Sequence, residues 1–122
     1  MVIAATVGEL PSRVASVAAD LAARWGSVGI VVPANLTEAV ADALGTAGVT
    51  FGTGARGGLA DVVTLLAPPE AKGLEFDAVI VVEPSAVYDD ARGGRLLYVA
   101  LTRAVQELAI VHAEPLPVEL RA

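Results

Sequence analysis

The feature that most constrains the fold is a set of short apolar runs that lack polar alternation. The clearest is DAVIVVE at residues 77–83, and similar runs occupy residues 28–32, 61–67 and 108–112. Each run is bounded by glycine, proline or charged residues and has the length of a strand rather than of a typical helix. Because none of them has a polar face, we predict strands that are buried on both faces, as in a parallel sheet covered by helices.

Longer segments between these runs carry apolar residues at helical spacing, and two weaker strand patterns accompany them. Helices are predicted at residues 11–26, 35–48 and 95–107, additional strands at residues 1–7 and 49–51, and a polar loop at residues 84–94. Strands that alternate with helices predict an α/β fold, a mostly parallel open sheet flanked by helices with right-handed crossovers. The length predicts one domain over residues 1–122.

Composition excludes several classes of protein. The net charge of −6 argues against broad electrostatic binding to nucleic acid, so any phosphate contact is expected to be local. The chain has no cysteine, which excludes disulfides and thiolate metal sites. It also lacks a signal-peptide pattern and an apolar stretch of the roughly 18 residues that a membrane span needs. We therefore expect a cytoplasmic protein without a membrane partner.

Two familiar phosphate-binding patterns are absent or incomplete. There is no G-x-x-x-x-G-K-[ST] segment, so the sequence offers no P-loop to cradle a β-phosphate. GTGARGG at residues 52–58 has the G-x-G-x-x-G spacing, but a predicted strand follows it, whereas dinucleotide binding needs a helix N-terminus. We interpret it as a turn. His112, the only histidine, lies at a strand end and is interpreted as an edge residue rather than a base or ligand.

Two segments contain the candidate functional residues. AKGLEFDAVIVVEP, residues 71–84, places the only lysine of the chain just before the strongest strand. By itself it is either a polar connection, in which Asp77 starts a strand, or a functional loop. LLYVALTRA, residues 96–104, is by itself either a core helix with an arginine at its exposed edge or part of a site.

Together and in this order, the two segments resemble motifs V and VI of the UvrD/Rep-like superfamily 1 helicases. The similarity covers residues 62–112, and more loosely residues 27–48. It implies the C-terminal RecA-like (2A) domain of such a helicase, here a partial one. In that family ATP lies between two RecA-like domains, of which the first carries the P-loop and the Mg²⁺ carboxylate. The resemblance therefore implies ATP as cofactor, with Mg²⁺ held by the missing first domain, and that domain as a partner of an otherwise monomeric chain.

The same resemblance assigns a catalytic role to Arg103 as the arginine finger that reaches the γ-phosphate. A planar and permanently charged guanidinium suits the neutralisation of charge on a transferring phosphoryl group. Thr102 and Tyr98 are expected to support Arg103 by packing and hydrogen bonding. No metal ligand is implied in this chain.

Three residues of the first segment are expected to contact the nucleotide. By the resemblance, Glu75 accepts a hydrogen bond from the ribose and Gly73 lets the backbone approach closely. Lys72 is expected to lie beside the nucleotide or the nucleic-acid backbone.

The sequence also departs from the family. Unwinding members read T-x-H-x-x-K-G before the glutamate, and their threonine and histidine lie near single-stranded DNA, whereas Ala67 and Pro69 stand here. The upstream YR motif is absent too. The Ala/Pro-rich lead-in is most similar to the actinobacterial HelD-like branch, whose ATPases act on RNA polymerase.

Two functions remain open from the sequence. The first is half of an ATP site, inactive alone, in a parent that is a DNA helicase or an RNA polymerase-recycling ATPase; DNA or RNA polymerase is then the parent's partner. The alternative is a stand-alone protein-interaction module that has lost nucleotide use, which the missing P-loop, the acidic charge and the altered lead-in favour.

Overall fold

Six parallel strands form one sheet in the part of the chain that the computed structural model describes, residues 2–54, 62–71, 74–88 and 101–116. The strands are β1 (Val2–Ala4), β2 (Val28–Val31), β3 (Phe51–Thr53), β4 (Val63–Leu66), β5 (Phe76–Val82) and β6 (Ala104–His112). The helices are α1 (Leu10–Arg24), α2 (Thr37–Thr46) and α3 (Pro84–Tyr88), with 3₁₀ turns at Ala34–Leu36 and Pro68–Ala71. The strand order is β1-β6-β5-β2-β4-β3, and every pairing is parallel. The predicted α/β fold with a parallel sheet is confirmed.

The central strands are buried on both faces, as their apolar runs predict. All of β2 is buried, and so is all of β5 except its second residue. One face of the sheet packs against helices α1 and α2 through residues such as Leu21, Val40 and Ile80. The other face forms a second cluster that includes Leu66, Phe76, Val79, Val81 and Ile110. Side chains alternate between the two clusters because successive strand residues point to opposite faces.

Two predictions about the second half of the chain are wrong. Residues 84–88 were predicted as loop but form α3, which begins at Pro84, and proline with its fixed φ is well suited to a first helical position. Residues 104–107 were predicted as helix but form the start of β6, because they pair with β5 at Phe76 and Ala78. Of the remainder of these two predictions, residues 89–100 lie outside the described residues, and residues 101–103 form a helical end and a turn directly before β6.

His112 ends β6, as predicted for a strand-end residue, but it does not lie on an edge strand. Strand β6 is flanked by β1 and β5, and His112 is the register partner of Ala4. Its Nδ1 lies 2.9 Å from the carbonyl oxygen of Glu114. The side chain is therefore engaged with the turn that follows its own strand.

Parallel strands begin at one end of a sheet and finish at the other. We call the end at which β2, β5 and β6 begin the amino end, and the opposite end the carboxyl end. The amino end carries the residues that precede β5 and β6, which include Glu75 and Arg103. This placement brings the two helicase-like segments together.

Candidate functional site

The two segments meet because β5 and β6 are neighbouring strands. The amide of Phe76 donates a hydrogen bond to the carbonyl oxygen of Arg103 at 3.0 Å. The guanidinium of Arg103 returns toward the same strand, with Nη1 3.4 Å from the carbonyl oxygen of Leu74. Arg103 thus contacts the residues on both sides of Glu75.

The Arg103 side chain lies half-buried at the amino end of the sheet. Its Nη2 lies 3.3 Å from the hydroxyl oxygen of Thr102, and both of its described hydrogen bonds are near the long end of the usual range. Such bonds orient a guanidinium, and a phosphate oxygen forms shorter and stronger ones. The described contacts therefore place the Arg103 guanidinium near the surface at the amino end of the sheet.

Glu75 is exposed at the same place, between the two residues that Arg103 contacts. An exposed carboxylate accepts hydrogen bonds from hydroxyl groups, and a guanidinium donates to phosphate oxygens. These two groups have the chemistry that a nucleotide's ribose and phosphates require. Lys72, Gly73 and Tyr98 lie outside the described residues.

Asp77 belongs to the same segment but points to another part of the protein. Its Oδ2 accepts a hydrogen bond from the amide of Gly26 at 3.1 Å, and its own amide donates to Ser27 Oγ at 2.9 Å. The amide of Ala78 donates to the Ser27 carbonyl at 3.1 Å. Asp77 therefore ties the start of β5 to the turn between α1 and β2, which agrees with its interpretation as a strand-entry residue.

Glu107 makes a comparable connection from β6, and sequence analysis missed it. Its Oε1 accepts hydrogen bonds from Arg24 Nη1 at 2.7 Å and from Trp25 Nε1 at 3.0 Å. Arg24 also bonds to Asp20 at 2.9 Å. Hydrogen bonds from Arg24 and then Trp25 lower the pKa of Glu107 below its ordinary value. A prediction of strand rather than helix for residues 104–107 would have placed Glu107 near this turn.

The Phe76 ring lies against the backbone of Gly29 in β2. A Cβ built at Gly29 would lie 2.6 Å from Phe76 Cδ2, which is closer than side chains tolerate. Glycine at this position therefore lets the aromatic ring that follows Glu75 pack flat on the neighbouring strand.

The carboxyl end of the sheet has two clefts, both remote from Arg103. The first, of about 520 Å³, lies beside β3 and β4 and is lined in part by Thr53, Ala67 and Glu70. Glu70 Oε1 accepts a hydrogen bond from the amide of Ala67 at 2.8 Å, within the segment that departs from the helicase pattern. The second, of about 460 Å³, lies beside Glu83 and Glu114 at the end of β5.

Two kinds of feature are missing from the described residues. They contain no group of three or more histidine, cysteine, aspartate or glutamate side chains arranged to hold a metal ion. None of the helices described here is long and apolar enough to cross a membrane.

The fold and the two converging segments define a RecA-like α/β domain of the helicase type. Residues 69–111 match the family model of the UvrD-like helicase C-terminal domain. The structure is similar to the crystal structure of the C-terminal domain of a possible DNA helicase from Lactobacillus plantarum WCFS1, with a TM-score of 0.74 and 30% sequence identity. That similarity covers 96% of this chain and 74% of the other. None of the curated proteins matches the chain.

The chain belongs to the family of UvrD-like helicase C-terminal domains. This finding confirms the resemblance to UvrD-like helicases that the two motifs predict. The narrower similarity to the HelD-like branch stays a prediction.

Proposed function

We propose that this chain is the second half of an ATP site in a superfamily 1 helicase-like motor ATPase, with Arg103 as the arginine finger. The observation that carries the proposal is the convergence of Arg103 with the residues flanking Glu75 at one end of the sheet. Both residues lie within the stretch that matches the helicase family. The other half, with the P-loop, belongs to a first RecA-like domain of the parent protein, and residues 1–122 are part of the second.

The chain's own residues fit the nucleotide in charge and hydrogen-bonding capacity. Arg103 would donate hydrogen bonds to phosphate oxygens, and these bonds would strengthen as negative charge develops in the transition state. Glu75 accepts a hydrogen bond from a ribose hydroxyl. Lys72 and Gly73 complete the contacts of this segment, and Thr102 and Tyr98 hold the arginine. Bound ATP, with Mg²⁺ held by the first domain, supplies the phosphoryl group that is transferred to water.

The parent's target is proposed to be RNA polymerase rather than a DNA track, in a cytoplasmic and monomeric ATPase of the HelD-like branch. Ala67 and Pro69 replace the polar residues that meet single-stranded DNA in unwinding members, and Glu70 holds the Ala67 amide in a closed turn. The net charge of −6 also disfavours binding to a polyanion. ATPase stimulation by RNA polymerase and not by single-stranded DNA is the expected result, and the reverse would assign the chain to a DNA helicase.

The test of the finger is Arg103→Ala and Arg103→Lys in the full-length parent. We expect both to lower kcat by about 10³ to 10⁵, since lysine cannot reproduce the planar two-donor geometry. Arg13→Ala removes an exposed arginine from α1 and serves as the matched control. Far-ultraviolet circular dichroism of the parent checks that each variant folds. Full activity of a Glu75→Ala/Arg103→Ala double variant would refute the proposal and favour the protein-interaction module.

A further inference from the structure

The segment that leads from the last residue of α1 to β2, residues 24–27, is bonded to the starts of both strands that carry the candidate site. We propose that this segment, which we call the register turn, fixes Glu75 and Arg103 relative to each other, with Asp77 and Glu107 as its positioning residues. The catalytic consequence of this proposal rests on the proposed function, whereas its structural part does not.

The register turn holds β5 through three hydrogen bonds. Gly26 donates to the Asp77 carboxylate at 3.1 Å, Ser27 Oγ accepts from the Asp77 amide at 2.9 Å, and the Ser27 carbonyl accepts from the Ala78 amide at 3.1 Å. A Cβ at Gly26 would lie 3.3 Å from Asp77 Oδ2, so the carboxylate sits directly on the turn. These bonds fix the strand position two residues after Glu75.

The register turn holds β6 through the Glu107 carboxylate. Arg24 and Trp25 donate to it at 2.7 Å and 3.0 Å, and Arg24 is itself oriented by Asp20. Charge-assisted bonds of this length are stronger than neutral ones. They fix β6 four residues after Arg103.

The anchor on β6 matters because the pairing of β5 with β6 is irregular at this point. Phe76 is the register partner of Ala104, but Ala78 is the partner of Glu107, so β6 carries an extra residue between the two pairs. A bulge leaves the extra residue unpaired and disrupts the ladder locally, so a continuous ladder does not hold the pairing on its two sides in one register. A slip by one residue would shift Arg103 by about 3.3 Å and turn its side chain to the other face.

The anchors lie on either side of this irregularity. The bond from Phe76 to the Arg103 carbonyl holds the near side, and the bonds to Glu107 hold the far side. Asp77 bonds β5 to the same segment, so both strands are positioned relative to residues 24–27. A misplacement of about 1 Å in a catalytic group can cost on the order of 10² in rate. Anchoring both strands to residues 24–27 would therefore help to keep Arg103 in its catalytic position.

The structural part is tested by amide hydrogen exchange in Glu107→Ala and in Glu107→Gln, which keeps an acceptor oxygen. The Phe76 amide, bonded to Arg103, reports the register, and the Val32 amide, bonded to Leu66 at the other end of the sheet, reports global stability. We expect Glu107→Ala to lower protection at Phe76 by at least about tenfold with little change at Val32. Glu107→Gln should keep much of the protection at Phe76 that Glu107→Ala loses. Asp42→Ala, which removes an exposed carboxylate from α2, is the matched control.

Unchanged protection at Phe76 would overturn the proposal, and so would an equal loss at both amides, which indicates general destabilisation. Asp77→Ala provides a second variant that acts on β5 and is expected to weaken the same Phe76 amide. If Glu107→Ala does not fold, Asp77→Ala decides the question by the same ratio of the two amides.

The catalytic part is tested in the full-length parent. We expect Glu107→Ala to lower kcat by about 10- to 100-fold with KM unchanged, since it displaces a group that acts in the transition state. In an Arg103→Ala background, Glu107→Ala should cause no further loss in kcat. A loss that adds fully to that of Arg103→Ala would overturn the positioning role. If Arg103→Ala itself leaves kcat unchanged, the proposed function fails while the exchange experiment still decides the register turn.

Discussion

At the scale of the residue, Glu83 combines a strained backbone with a buried charge. Its φ of 52° lies in the left-handed region, and among the described residues it alone has a positive φ without being glycine. The carboxylate is buried and accepts hydrogen bonds from the amides of Ala113 and Glu114, each at 3.1 Å. The hydrogen bonds therefore offset the cost of the backbone conformation and close the turn after β6.

Two substitutions separate these contributions. Glu83→Ala loses the carboxylate and keeps the strain, so we expect a loss of about 1–3 kcal/mol in the free energy of unfolding. Glu83→Gly loses the same carboxylate but relieves the strain, so it should be more stable than the alanine variant by about 1 kcal/mol. Urea denaturation measures both. Equal stabilities for the two variants would contradict the claim of backbone strain.

Gly29 is required by the Phe76 ring rather than by its backbone conformation. Gly29→Ala would place a methyl group 2.6 Å from the ring, so we expect the shift of Phe76 to cost about 1–3 kcal/mol. Gly45→Ala, in α2 with open space around the position, is the matched control and should stabilise by about 0.5–1 kcal/mol. Thermal or urea unfolding of both variants tests this, and a neutral Gly29→Ala would show that the ring adjusts freely.

At the scale of the element, local pattern predicted the buried strands well and the start of β6 badly. DAVIVVE and VGIVV are apolar on both faces, and both became central strands. Residues 104–107 continue the helical apolar spacing of the preceding segment, so the sequence favours a helix there. Pairing with β5 overrides this preference, and that pairing is a long-range contact which no local pattern contains.

The contact between α1 and β6 is expected to depend on pH. The pKa of Glu107 is lowered in the folded protein, chiefly by the hydrogen bond from Arg24, so its stabilising effect is complete above the unfolded pKa and is lost as pH falls through the folded one. Trp25 donates to the same carboxylate, so its emission should change as pH falls from 7 to about 3. Glu107→Gln should remove this change in Trp25 emission. Circular dichroism follows global unfolding over the same pH range as a separate measurement. An identical acid transition in the variant would contradict the assignment.

At the scale of the whole molecule, the sequence predicted the parallel α/β architecture, and the family resemblance implied that the two segments share one site. A parallel sheet with neighbouring β5 and β6 brings Glu75 and Arg103 to one end. The register turn could not be predicted, because Arg24 and Glu107 are 83 positions apart and neither belongs to a motif. The motifs indicate the candidate groups, and only the fold shows which residues are bonded to the strands that carry them.

The proposed half-site has a consequence for the isolated chain that a complete site would not have. An arginine finger acts mainly on the transition state, so we expect the isolated chain to bind ATP weakly in the ground state. In an assay with about 1 mM MgATP, the Kd should be higher than the ligand concentration. Ligand at or below its Kd stabilises by no more than about 0.4 kcal/mol, which moves Tm by at most about 2–3 °C.

Differential scanning fluorimetry with and without MgATP measures this shift, and Arg103→Ala gives the background. In the full-length parent, with the proposed P-loop domain, the same ligand should raise Tm by clearly more. A large shift in the isolated chain that Arg103→Ala abolishes would mean that these residues bind nucleotide alone, which would contradict the shared site.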